Sequence, residues 1–135
     1  MVLILVGVLA VYAAPRLFNS AEFNARGFHD ETLAFLRYAQ KTAIAQRRTV
    51  CVTFTLSSAM LKVDNDSSAG CEANLAGPKG DSPGTITARS GVTYSSLPAA
   101  VSFDALGQPA ATQSIQVQGV GRSITVEAGT GYVHE

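Results

Sequence analysis

The first fourteen residues, MVLILVGVLAVYAA, contain no charged side chain and are apolar all the way round a helical projection. Such a helix has no polar face for water, so it belongs in a protein core, a bilayer or a bundle of similar helices. At 1.5 Å per residue the run covers roughly 21 Å, short of the roughly 30 Å hydrocarbon core of a membrane. Taken alone it fits a buried helix, or the hydrophobic region of a signal peptide with Val11-Tyr12-Ala13 as a cleavage site. No basic segment precedes it, however, and the pattern beyond Pro15 continues as a helix and not as the start of a mature domain.

Pro15 and Arg16 close the apolar run, and a proline inside a helix removes a hydrogen bond and kinks it. From Ala21 to Gln46 the chain turns amphipathic. Leu33, Leu36, Ala43 and Ile44 keep helical spacing, with Phe28, Phe35 and Ala39 alongside. Gly27 weakens this helix locally, and a second bend is expected there. Arg26, Arg37, Lys41 and Arg48 project near one stripe, which reads as a solvated face. Near Arg47 the period drops to two: Val50, Val52, Phe54 and Leu56 alternate with Thr49, Cys51, Thr53 and Thr55. Met60 to Asp64 is the expected hairpin partner through Ser57-Ser58-Ala59, and residues 65–84 read as a loop. Further short strands are expected at 85–89, 92–94, 101–103, 114–117 and 123–127, separated by Gly and Pro turn signals. The sum is an α+β chain with antiparallel sheets.

Ten basic and ten acidic residues cancel, so no net field recruits nucleic acid or an anionic membrane. The two cysteines, Cys51 and Cys71, are too far apart for a CxxC redox motif and too few for a cysteine-only zinc site. In an exported chain an even pair reads as one disulfide; the alternative is two free thiols in a cytosolic protein.

No catalytic, cofactor-binding or metal-binding set emerges. His29 is flanked by Asp30 and Glu31, but adjacent helical residues point apart, so it reads as a solvated helix histidine; His134 stands alone near the end. No Gly-x-Ser-x-Gly elbow occurs. Asp64-Asn65-Asp66-Ser67-Ser68 opens like a calcium loop, but Ala69 stands where glycine is needed and Leu75 where glutamate is needed, so a polar hairpin loop is expected.

Apolar helix, Pro-Arg, amphipathic helix, antiparallel β: that order, with VLILVGVLAVYAAPR, resembles the type IV pilin and pseudopilin superfamily. Residues 36–48, LRYAQKTAIAQRR, running straight into the Val50–Leu56 strand, resemble minor pilins of the GspH/FimT type. VSFDALG at 101–107 and ITVEAGTGYV at 124–133 are similar to that family's later strand-and-turn and its final strand and tail. The cysteine pair and the Tyr38–Lys41 stretch also resemble minor pilins of mannose-sensitive haemagglutinin-type systems. On this alignment Met1 falls inside the mature helix, and the family's leader, methylated first residue and early glutamate would precede it.

The resemblance implies a long bent N-terminal helix packed on an antiparallel β-sheet or sandwich head. Residues 1–20 would be the transmembrane and filament-core half, with Val2, Leu3, Ile4, Leu5, Val6, Gly7, Val8, Leu9, Ala10, Val11 and Pro15 as its membrane and filament residues. Gly7 and Ala10 would allow close helix approach. Residues 21–135 would be the head, with a helical half at 21–46 and a β-rich region at 47–135. The implied role is a non-enzymatic minor pilin or pseudopilin that helps initiate or cap a type IV pilus or type II secretion pseudopilus. It would sit in the bacterial inner membrane with its head in the periplasm, then in the filament. Its partners would be other pilins and the inner-membrane assembly platform, with no cofactor. Alternatives are an adhesive or DNA-uptake minor pilin, or a secreted β-rich protein. Some FimT-type pilins bind DNA through a C-terminal Gly-Arg-x-Arg motif. Here the matching positions are Gly131, Tyr132, Val133 and His134, so both arginines are missing and DNA is not an expected partner.

Overall fold

The computed structural model describes residues 20–67 and 70–135. The expectations for Val2 to Val11 and Pro15 therefore fall outside the described residues. Helix α1 spans Ser20–Gln46 and runs unbroken through Gly27. One face of it is apolar and withdrawn from water: Ala25, Phe28, Phe35, Leu36, Ala39 and Ala43 are all buried. Ile44, expected on that stripe, is instead half exposed where the helix runs past the sheet. The helix ends when Arg47 takes a left-handed conformation, φ 54°. The amide of Arg48 then donates back to the carbonyl of Ala43 at 3.2 Å, the six-to-one bond of a Schellman cap. This cap places Arg48 beyond the helix, so the projected basic stripe is interrupted: Arg48 donates to Asn65 Oδ1, and Arg37 donates to the Val133 carbonyl.

After the cap the chain reverses. Strand β1 (Val50–Phe54) runs back along α1, and β2 (Ser58–Val63) pairs with it antiparallel, Val50 opposite Val63 and Phe54 opposite Ala59. Val50, Val52, Ala59, Leu61 and Val63 face the helix and are buried. Leu56, expected to continue this inward row, is exposed because β1 ends at Phe54 and the turn begins. Strand β3 (Ala73–Asn74) and strand β4 (Thr85–Thr87) share the outer edge of β2, at Lys62–Val63 and Ser58–Met60 respectively. The segment 65–84 is therefore not wholly loop. Two residues of β3 had no alternating pattern to betray them, and tertiary pairing decides their state. Strand β5 (Val101–Phe103) covers the other edge of β1.

A second sheet holds β6 (Gln113–Ile115), β7 (Ile124–Val126) and β8 (Val133–His134), in that order. The expected strand at 92–94 is reduced to one bridge, Tyr94 with Val117, which links the two sheets. Tyr94 is the pivot of the core. Its ring meets Phe28 at 4.9 Å and Phe54 edge-on at 5.6 Å. Thr32 gives its hydroxyl proton to the Phe28 carbonyl at 2.8 Å, so Tyr94 donates to Thr32 Oγ1 at 3.0 Å. Burial pushes the pKa of the Tyr94 phenol up to about 12.

Cys51 and Cys71 are joined in a disulfide with Cα atoms 6.1 Å apart, tying β1 to the segment that leads into β3. The bond closes a loop with a sequence separation of 20. Restricting the unfolded chain in this way is worth about 3 kcal/mol in the chain-entropy model. Denaturant unfolding with and without reductant should show a matching drop, and the Cys51→Ala/Cys71→Ala variant should reproduce it. An unchanged midpoint would contradict the assignment.

Candidate functional site

The C-terminal end of the chain returns to α1 and builds its polar closure. The Val133 carbonyl accepts Nε and Nη2 of Arg37 at 3.2 and 3.0 Å. Gln40 donates to the carbonyls of Gly107 and Thr130. Here the backbones approach so closely that a side chain at Gly131, φ 71°, would collide with the Gly107 carbonyl. Gly131 is thus a steric requirement of the crossing. The neighbouring turn is closed by Asp104, whose Oδ1 accepts from Leu106 and Gln108 amides.

His29 corrects the expectation drawn from its neighbours in sequence. It is buried, 3% exposed, and its Nε2 lies 3.0 Å from Glu135 Oε1. The other carboxylate oxygen accepts Arg122 Nη1 at 3.0 Å. Arg26, His29, Asp30, the Gly119–Gly121 turn, Arg122 and Glu135 line a cavity of about 550 Å³. No sequence signal pointed to this cluster, because 106 positions separate His29 from Glu135.

The chemistry of the cluster follows from its unpaired atom. His29 Nδ1 is buried with no hydrogen-bond partner among the described residues. A proton there would be an unsatisfied buried donor, so the surroundings assign the tautomer with Nε2–H donating to Glu135. Ligating atoms of His29, Asp30 and Glu135 do lie within 4.8 Å of one another. A cation on Nε2 would force the proton onto Nδ1, and Glu135 is already divided between His29 and Arg122, so the geometry fits a closed hydrogen-bond network and not a metal centre. Asp64, Asp66 and Glu72 also bring carboxylates within 4.8 Å. Asp64 Oδ1 there accepts the amides of Asp66 and Ser67, the self-closure of a polar turn.

The tail positions that align with the DNA-binding motif of some FimT-type pilins are also engaged. Tyr132 stacks on His134 with ring centroids 4.9 Å apart, and His134 Nε2 lies 2.9 Å from Glu127 Oε1. The Glu127 bond, aided by the Glu135 carbonyl, raises the pKa of His134. Arg122 first, then His29, lower the pKa of Glu135.

The geometry so far is a helix capped by antiparallel sheets with no nucleophile–base pair among the described residues. A family model described as Type II transport protein GspH matches residues 30–130. The chain belongs to the GspH family. Two crystal forms of the Pseudomonas aeruginosa type IV minor pilin FimU share the fold of this GspH-family chain. One has 16% sequence identity and a TM-score of 0.54, covering 91% of this chain and 90% of that one. The other has 15% identity and a TM-score of 0.55, covering 81% and 90%. None of the curated proteins matches the sequence. The family is that of a type II transport protein, and the fold is that of a type IV minor pilin.

The two shifted groups give opposite pH signatures. Glu135 is lowered from 4.5, so its contribution is present above that value and lost as pH falls through its folded value. His134 is raised from 6.5, so its contribution is complete below 6.5 and lost as pH rises through its folded value. Comparing chemical denaturation of the wild type with Glu135→Gln should therefore show a gap at neutral pH that closes in acid. The gap to Glu127→Gln, through its loss of the His134 partner, should instead close on the alkaline side. Gaps that ignore pH would contradict these pairings.

Proposed function

We propose that this GspH-family chain is a non-enzymatic minor subunit that helps initiate or cap a type IV pilus or type II secretion pseudopilus. The observation that carries the reading is the division of labour along the N-terminal third. Residues 21–46 bury one face in their own head, while the first fourteen residues carry no charge and have no face suited to water. On this reading the apolar segment anchors the chain in the inner membrane and later joins the helices of neighbouring pilins. Among the described residues no helix is long and apolar enough to cross a membrane; on this reading the anchor is the apolar half of the helix at residues 1–20. The assembly platform is the expected partner that extracts it.

DNA uptake is not favoured. Tyr132 and His134 occupy the two arginine positions, His134 is held by Glu127, and Arg122 is held by Glu135. Lone cations already in ion pairs release few counterions from a phosphate backbone.

Fractionation tests the proposal. The chain expressed with its filament system should sediment with inner membranes and co-purify with another pilin after mild crosslinking, and removing residues 1–19 should abolish both. A chain that fractionates with soluble protein and captures no pilin would refute it.

A further inference from the structure

The large exposed apolar side chains of the head fall at its two ends. Ile44, Leu106 and Tyr132 gather where α1 finishes, while Phe23, Leu56 and Leu97 lie at the end where α1 begins. The antiparallel return of β1 sets the second group. Phe54 reaches back to Tyr94, which packs on Phe28 of the early helix. Leu56 follows, its carbonyl accepting the Tyr94 amide. Next to it the Ser57 carbonyl accepts the Ala88 amide, and Thr87 and Arg89 line a groove with Phe23 and Gly27. Leu97 sits three residues beyond Tyr94 on the strand-to-strand connection. Exposures of 77% for Phe23, 51% for Leu56 and 63% for Leu97 are high for side chains of this kind.

We propose that this end of the head rests on the phospholipid surface, with Phe23, Leu56 and Leu97 dipping into the headgroup–acyl boundary. The inference rests on the membrane-anchored reading above. Its support is where the uncharged N-terminal run ends. Ala14 is nine residues before Phe23. At no more than about 3.6 Å per residue, Phe23 stays within roughly 32 Å of that run in any conformation. The charges nearby are arranged to permit it. Glu22 is paired with Arg26 and Glu31 with Lys79, so neither carboxylate faces the lipid phosphates unpaired. Arg89 is exposed beside the apolar group, where a cation can reach a phosphate while its apolar neighbours sit lower. The opposite group is held away: Phe23 and Ile44 are 21 residues apart on one helix, about 31 Å at 1.5 Å per residue. A head seated in this way has its orientation fixed before it enters a filament, and must give up these three contacts when it is extracted.

The chain contains no tryptophan, so single substitutions supply a clean reporter. Phe23→Trp, Leu56→Trp and Tyr132→Trp are made in the full chain and reconstituted in phosphatidylethanolamine–phosphatidylglycerol vesicles, with or without acyl-brominated lipid. All three sites are exposed, and circular dichroism checks that each variant folds. Emission of Leu56→Trp and Phe23→Trp should shift to the blue and fall about twofold or more with brominated lipid, as for side chains at the acyl boundary. Tyr132→Trp should keep its water-exposed spectrum. If the Leu56→Trp chain floats with the vesicles but is not quenched, the inference is overturned. A blue shift without quenching also overturns it, and makes a second copy of this chain the cover of this end. A chain that does not float with the vesicles overturns the anchoring reading and this inference with it.

Discussion

Phe28, Thr32, Phe35, Leu36, Ala39 and Ala43 of α1 are withdrawn from water, and the helix packs on β1, β4 and β5 of the first sheet and on β8 of the second, so both sheets are placed by that contact. A helix of 27 residues with a solvated outer face is marginal alone; the buried face supplies its stability. Large side chains that become fully buried contribute about 1.5–3 kcal/mol each. Small residues at 39 and 43 let the sheet approach where β1 begins, and the aromatic cluster of Phe28, Phe54 and Tyr94 fills the wider space at the other end. The buried polar pair of that seam, Thr32 with Tyr94, is satisfied by the Phe28 carbonyl and so costs little.

Polar closure supplies the rest. The second sheet is small, and its last strand is two residues long. Arg37 and Gln40 bind backbone carbonyls of the tail, and His29 with Arg122 holds Glu135. The disulfide performs a comparable service at the opposite margin of the first sheet, where β3 also is only two residues long. Strands this short need such ties to stay in register.

Much of this was legible in the residues. The change from a 3.6 to a 2 period near Arg47 located the helix end to within a residue, because the Schellman cap and the alternation of Val50 and Val52 are both local in sequence. The β1–β2 hairpin was legible for the same reason. The resemblance to the GspH/FimT type, carried by residues 36–56, agreed with the family match over residues 30–130. What escaped was non-local. His29 looked solvated because its helical neighbours are charged, and only the fold brings Glu135 to it across 106 positions. β3 and the bridge at Tyr94 are pairings set by edges of strands elsewhere, with no periodicity of their own. Leu56 and Ile44 fitted an apolar pattern that outran the sheet and helix contact meant to bury them.

If the helix–sheet seam is the constraint on which the head depends, α1 cannot open without the sheet. Native-state hydrogen exchange measures this directly. The amides of Thr32 to Ala43 should exchange at the same free energy as those of Val50 and Val52, both tracking global unfolding across a denaturant series. Helix amides that exchange through a separate, lower-energy opening while β1 stays protected would contradict the account.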